Sequence, residues 1–159
     1  MNTIQRSPTP LITIGMLTKN RSWCLPQVLA RMEEMDYPKE QIKIVFVDGN
    51  STDDTFSMLR KWKEREETEY HDILLIQKEC NIPEGRNICI RQMEGDYLIF
   101  WDSDVIPAKD FIRILIKHFH MNERLGMIGA DYTYENDELK TVLRNIKTHA
   151  LYMGFTAIK

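Results

Sequence analysis

Two carboxylates one residue apart, Asp102 and Asp104, stand at the end of the apolar run Tyr97-Leu98-Ile99-Phe100-Trp101. Their oxygens suit a hard divalent cation, Mg²⁺ or Mn²⁺, and through it a phosphorylated ligand. Taken alone the triplet is a weak signal. With 24 acidic residues in 159, about three or four acidic-x-acidic triplets are expected by chance. A competing reading has Asp104 capping a helix that begins near Pro107, where it would accept free backbone N–H groups. The elements around the pair decide between the two.

Tyr97 to Trp101 has the length and the aromatic and β-branched content of a strand covered on both faces. In open α/β sheets ligands bind at the carboxyl ends of the strands, which puts Asp102 and Asp104 on the functional rim. The same arrangement recurs upstream. Leu11 to Leu17 reads as a first strand, closed by the polar cluster Thr18 to Ser22. Leu25, Val28, Leu29, Met32 and Met35 then follow helical spacing, with Asn20 or Ser22 available as cap. Ile42 to Val47 is a second strand ending in Asp48-Gly49-Asn50-Ser51-Thr52-Asp53-Asp54-Thr55. Thr52 or Asp53 can cap the next helix, which carries Phe56, Leu59 and Trp62 inward, and Lys61 to Glu69 reads as its solvated face.

Ile73 to Ile76 makes a third strand, and Pro83 suits the start of the helix that follows. After the acid-terminated strand, Phe111, Ile112, Leu115, Ile116 and Phe119 repeat at helical spacing, and Leu125 to Ala130 forms a further strand. Beyond Asp131 a helix is expected from about Asp137 to His149, with Leu151 to Ile158 as an edge strand. Alternation of this kind predicts an α/β fold, a mostly parallel open sheet with helices on both faces. Residues 1–10 are expected to be a flexible N-terminus and 11–159 a single domain.

Composition narrows the classes further. A chain of 43% hydrophobic and 28% charged residues with net charge -3 has an ordinary globular balance and no basic block for nucleic acid. Cys24, Cys80 and Cys89 are odd in number and form no CxxC, which points to neither a disulfide framework nor a zinc site. No apolar run reaches the ~18 residues of a membrane span, and the polar start has no signal-peptide core. A reducing, cytoplasmic setting is expected, with membrane association only through a longer native protein. His71, His118, His120 and His149 are scattered, and the methionines fall largely on core-facing helical positions.

Four segments in order carry a resemblance: Thr18-Lys19-Asn20-Arg21, Val47 to Thr55, Gly85-Arg86-Asn87, and Gly95 to Asp104. Together they resemble the nucleotide-sugar-binding half of the family 2 glycosyltransferases, of GT-A fold, over nearly the whole chain. Leu17 departs from the proline of many members, and Gly49-Asn50 reverses the commoner Asn-Gly; a turn tolerates both. The resemblance implies a metal-dependent, inverting transfer from a nucleoside diphosphate sugar, UDP-linked, to a glycan, lipid or protein acceptor. It implies Asp104 as direct ligand of Mn²⁺ or Mg²⁺, with Asp102 touching the ribose or reaching the metal through water. Asp48 would accept the N3–H of uracil, or else bond its own turn. Thr18 and Arg21 would line the base or ribose pocket, and Arg86 would contact the base or a phosphate. Asp53 and Asp54 read as helix-start carboxylates.

An inverting transfer needs a general base. In the family it is a carboxylate well downstream of the metal motif, often in a Glu-Asp pair. The substitutes within these residues are Asp131, Glu135, Asp137 and Glu138, so the chain is expected to bind donor better than it transfers, and to self-associate through an apolar C-terminal segment. Two alternatives compete. One is a non-catalytic sugar-nucleotide-binding module. The other is a haloacid-dehalogenase-type phosphatase, whose motif also begins as a strand ending Asp-x-Asp. That motif normally opens the fold, however, and here it comes fourth. A dehydrogenase is excluded by the lack of Gly-x-Gly-x-x-Gly after the first strand.

Overall fold

Period-two alternation in the strands sorts their side chains onto two faces. In the computed structural model, which describes residues 9–122, 124–135, 138–143 and 155–158, Ile42, Ile44 and Phe46 share one core with Tyr97, Ile99 and Trp101. Val45, Val47, Leu98 and Phe100 share the other. The strands are β1 (Ile12–Thr18), β2 (Ile42–Asp48), β3 (Asp72–Gln77), β4 (Tyr97–Trp101), β5 (Met127–Glu135), β6 (Glu138–Leu143) and β7 (Phe155–Ile158). They form one sheet in the order β3-β2-β1-β4-β7-β5-β6. The first four are parallel, and the last three join antiparallel.

Helices α1 (Leu25–Glu33), α2 (Thr55–Glu66) and α4 (Phe111–Met121) place their buried apolar residues in the first core. Helix α3 (Ile82–Arg91) covers the second through Ile88 and Cys89. All five apolar positions predicted for α4 are buried. Helix α3 approaches the sheet unusually closely. A Cβ at Gly15 would lie 2.8 Å from Cys89 Cβ, and one at Gly85 would lie 2.6 Å from a Leu17 methyl. The departure at Leu17 is therefore absorbed by packing, since its side chain fills the space over Gly85. The capping box of Asn81 and Glu84 starts α3, and Arg86 follows one turn later.

Several expectations are corrected. Helix α4 starts at Phe111 with Asp110 in the cap position, not near Pro107, whose carbonyl is held by Arg31 at 2.7 Å. Asp104 therefore caps nothing there. Helix α1 begins at Leu25 with Cys24 in the cap position and no side-chain cap, Asn20 Oδ1 accepting instead from Thr52 N–H, and Trp23 lies outside it, 74% exposed. Helix α2 likewise has Asp54, not Thr52 or Asp53, in its cap position. Residues 138–143 are a strand rather than a helix, because pairing with β5 overrides local propensity. Phe155–Ile158 is not an edge but is inserted between β4 and β5. Residues 1–8, Asp137, the rest of the predicted C-terminal helix and Leu151 to Gly154 lie outside the described residues.

The Lys61 to Glu69 segment is not wholly solvated. Glu66 is buried and accepts hydrogen bonds from Arg65 Nε at 2.9 Å and Lys39 Nζ at 3.0 Å. Burial raises its pKa, but the two cations outweigh burial and hold the carboxyl below its ordinary range. A depressed folded pKa gives stability that is present above the unfolded value and lost as pH falls through the folded one. Glu66→Gln is accordingly expected to lower Tm at neutral pH and to flatten the loss of Tm between about pH 5 and pH 3. Melting curves of equal steepness for variant and wild type across that interval would rule out this linkage.

Candidate functional site

A cleft of about 780 Å³ opens at the carboxyl ends of β1, β2 and β4 and is walled by the start of α3. Thr18, Lys19, Arg21, Arg86, Asp102 and Asp104 all line it. The loop after β1 is shaped by Asn20, at φ 53°, a left-handed conformation that asparagine tolerates. It is laced to the loop after β2. Asn20 N–H donates to Ser51 Oγ at 2.9 Å, and Asn20 Oδ1 accepts from Thr52 N–H at 2.9 Å. Arg21 N–H donates to Thr55 Oγ1 at 2.7 Å, and Ser22 N–H to Asp53 Oδ2 at 3.1 Å. Hydrogen bonds from Thr55 and Ser22 hold the Asp53 carboxyl well below its ordinary range. It ties loops together at a helix start and does not line the cleft. Gly49-Asn50 works in this order because Asn50 takes the positive φ of 62°.

The acid-bearing turn after β4 is held from several sides. Trp101, fully buried, donates its indole N–H to Val105 O at 2.8 Å, and Val105 N–H donates to Asp102 O at 3.2 Å. Cys24 Sγ lies 3.4 Å from Ser103 O, anchoring the turn to the start of α1. Asp102 Oδ1 faces Arg86 Nη2 at 3.8 Å, and Asp104 Oδ2 faces Arg21 Nη2 at 3.6 Å. Burial pushes the Asp102 carboxyl up to about 6, with Arg86 and Arg21 opposing and the Asp104 charge adding to the rise. Arg86 is not a surface arginine. Its guanidinium sits 5.5 Å from the Phe100 ring centre, at cation–π distance.

Thr18 is buried on the cleft wall, and its hydroxyl has no hydrogen-bond partner among the described residues. A buried hydroxyl without a partner carries a desolvation cost that a bound ligand relieves. Asp48 takes the second of the two roles open to it, bonding its own turn. It is fully buried, it is not among the cleft-lining residues, and its carboxylate accepts from Ser51 N–H at 2.9 Å, from Ser51 Oγ and from Gln77 Nε2 at 3.1 Å. Its role in this geometry is to fix the turn at the end of β2. Lys19 is a lining residue that sequence reasoning passed over, although it lies inside the Thr18–Arg21 segment; a Cβ at Gly49 would meet its stem at 3.3 Å.

The candidate bases separate. Asp131 and Glu135 are on β5, Glu138 is on β6, and Asp137 lies outside the described residues. Ala130 is opposite Phe155, which is opposite Trp101. The backbone of Asp131 therefore stands one residue beyond the level of Trp101, two strand spacings or ~10 Å away.

The donor set fits a divalent cation in part. No group of three or more His, Cys, Asp or Glu side chains gathers among the described residues. Two carboxylates would leave most positions to water and to a ligand's oxygens, as Mg²⁺ sites in phosphate-binding proteins commonly do.

Parallel strands in the order β3-β2-β1-β4, an acid pair at the end of β4 and a cleft across β1, β2 and β4 define an α/β domain of GT-A type. The chain belongs to glycosyltransferase family 2, whose model, "Glycosyl transferase family 2", matches residues 13–157. It is 30% identical to a glycosyltransferase 25 family member of Drosophila melanogaster, over 87% of this chain and 28% of that protein. It is 35% identical to procollagen galactosyltransferase 1-B of Xenopus laevis, over 70% of this chain and 22% of that one. The chain thus spans about a quarter of these relatives' lengths. Among solved structures, a Pyrobaculum calidifontis mannosyltransferase in complex with GDP-Man and Mn²⁺ superposes with TM-score 0.71 at 23% identity, over 81% of this chain and 37% of that one. TarS of S. aureus, in complex with UDP-GlcNAc, superposes with TM-score 0.60 at 23% identity, over 76% and 32%. This membership displaces the phosphatase alternative.

Proposed function

We propose that this domain binds a nucleoside diphosphate sugar, UDP-linked, through Mn²⁺ or Mg²⁺ and presents it for inverting transfer to an acceptor hydroxyl. The observation that carries the reading is the facing of Asp102 and Asp104 by Arg86 and Arg21 across one nucleotide-sized cleft. Asp104, the more open end of the pair, would hold the cation directly, and Asp102 would hold it through water or meet the ribose. A cation held there would supply Lewis-acid stabilisation to the departing diphosphate. Arg21, Arg86 and Lys19 add positive charge where the leaving group gains negative charge, and the unpartnered Thr18 hydroxyl offers a hydrogen bond on the cleft wall. Among the candidate bases, Asp131 is the one whose backbone place on the rim, level with the acid pair, suits a group that takes the acceptor's proton.

The solved relatives hold GDP-Man in one case and UDP-GlcNAc in another, so both support a nucleotide-sugar donor, and UDP is the first base to test. Calorimetric titration of UDP into the chain is expected to show binding with Mn²⁺ present and none in excess chelator, with CDP weaker than UDP. Undiminished binding in chelator would remove the metal from the reading. Equal affinity for UDP and CDP would remove the uridine preference alone.

A further inference from the structure

We propose that Cys80 is a thiol modification site in the wall of the cleft, and that a mixed disulfide formed there with an anionic thiol of the glutathione type closes the cleft to nucleotide. The closing rests on the donor-binding reading above; the thiol site itself does not.

Of the three cysteines, two are shut away. Cys89 is fully buried on the side of α3 that meets Gly15, and Cys24 is buried with its Sγ held 3.4 Å from Ser103 O. Burial pushes both thiols above their ordinary range, Cys89 to about 12, and buried thiols of this kind are inert. Cys80 differs from both. It is partly exposed, it forms no disulfide, and it lines the cleft beside Asn81, Ile82 and Arg86.

Its place follows from how α3 begins. Asn81 is the cap residue, so Cys80 holds the position just before it, where an apolar side chain commonly packs against the fourth residue of the helix. Here that residue is Gly85, which has no side chain to cover the sulfur. A Cβ on Gly85 would stand 3.6 Å from Cys80 Sγ, and the same Cβ would meet a Leu17 methyl at 2.6 Å. The close approach of α3 to β1 thus keeps a covering side chain out and leaves the thiol on the cleft wall.

Two features of the cleft favour a polar, anionic guest beside that sulfur. Thr18, 4% exposed, lines the same cleft with a hydroxyl that has no hydrogen-bond partner among the described residues. The charged lining residues are Lys19, Arg21 and Arg86 against Asp102 and Asp104, a positive balance. Glutathione has more carboxylates than amines and is a net anion at neutral pH, which such a lining concentrates. The Cys80 thiolate attacks one sulfur of glutathione disulfide. The disulfide bond breaks as the bond to Cys80 forms, and the second glutathione leaves with the electron pair and takes up the proton that the Cys80 thiol gave. The attached peptide then occupies the space beside Thr18 and Arg86 that a nucleotide needs.

The test treats the chain with glutathione disulfide and reads the product by intact mass and peptide mapping. A single glutathione is expected on Cys80, with none on Cys24 or Cys89 and no uptake by Cys80→Ser. Saturating UDP with Mn²⁺ should slow the modification at least about tenfold, because the occupied cleft excludes the reagent. The modified protein should bind UDP at least about tenfold more weakly and recover in dithiothreitol. Cys80→Ser should have the same UDP affinity before and after the treatment. Attachment at Cys24 or Cys89, no attachment, or an adduct on Cys80 that leaves UDP affinity where it was overturns the proposal. A chain that takes glutathione on Cys80 alone but binds no UDP before treatment overturns the donor-binding reading and leaves the thiol site standing.

Discussion

Asp104→Ala is expected to abolish cation-dependent nucleotide binding, with a loss of at least about 100-fold in UDP affinity in the presence of Mn²⁺, while leaving thermal stability nearly unchanged. The two halves of this expectation have different causes. Asp104 lies in the turn after β4 with its side chain 42% exposed, and its ion pair with Arg21 spans 3.6 Å. Half-exposed pairs of this length contribute about 0–1 kcal/mol, so folding loses little. Binding loses far more. The described residues offer the cation only two carboxylates, and removing one leaves a single partly buried acid facing a guanidinium. Asp104→Asn keeps the shape and removes the charge, and it should lose nearly as much, which separates coordination from packing. Calorimetry of UDP with Mn²⁺, beside a melting curve of the same sample, checks both halves. An Asp104→Ala protein of normal Tm that binds UDP with wild-type affinity in Mn²⁺ would remove Asp104 from the site.

What the sequence shows about this fold depends on how local the determining contacts are. Strand β4 was legible to its end residues, because a five-residue apolar run stopped by two carboxylates has few other readings. The buried face of α4 was legible for the same reason, since helical periodicity is a property of the segment itself. The far side of the sheet was not. β7 runs antiparallel between β4 and β5, and β6 pairs back onto β5. β7 reaches its place beside β4 from more than fifty residues along the chain, whereas β6 starts only three residues after β5 ends, and no period within Glu138 to Leu143 announces either pairing.

The site divides along a similar line. Thr18, Arg21, Arg86, Asp102 and Asp104 converge on one cleft because each sits at the carboxyl end of a parallel strand or the start of α3, places that follow from topology. Asp48 shares that kind of position, yet its carboxylate is closed by Ser51 and by Gln77. Gln77 lies 29 residues away on β3, and nothing in the Asp48–Thr55 segment alone shows that it returns. Asn20 and Ser22 were read as caps because such residues favour helix starts. In the loop after β2 the Thr52 N–H takes the Asn20 Oδ1 that a cap would use, and the Asp53 carboxylate ties Ser22 down by its backbone N–H.

Gly95→Ala is expected to be among the most damaging single-methyl additions in the chain, lowering Tm by roughly 10 °C. Gly95 has φ +83°, and a Cβ built there would lie 2.1 Å from the Leu11 carbonyl oxygen. The left-handed conformation costs an alanine about 1–2 kcal/mol by itself. The overlap adds more, because the obstructing atom is backbone, and the same oxygen accepts the Asp96 N–H at 3.0 Å. Leu11 cannot yield without disturbing the pairing of Ile12 with Tyr97 that begins the β1–β4 register. A total of about 3–5 kcal/mol, at roughly 2–4 °C per kcal/mol for a chain of this size, gives the expected shift. The effect should extend to the site. Strand β4 is five residues long, and Asp102 follows directly, so slack at Gly95 is passed along the strand to the acid pair. UDP affinity with Mn²⁺ is therefore expected to fall even in samples held well below the melting point. Gly126→Ala is the control, because nothing lies within 4 Å of a Cβ there, and it should leave both Tm and binding unchanged. A Gly95→Ala protein melting within about 2 °C of wild type would show that β1 and the turn accommodate the methyl, and that this glycine does not set where β4 begins.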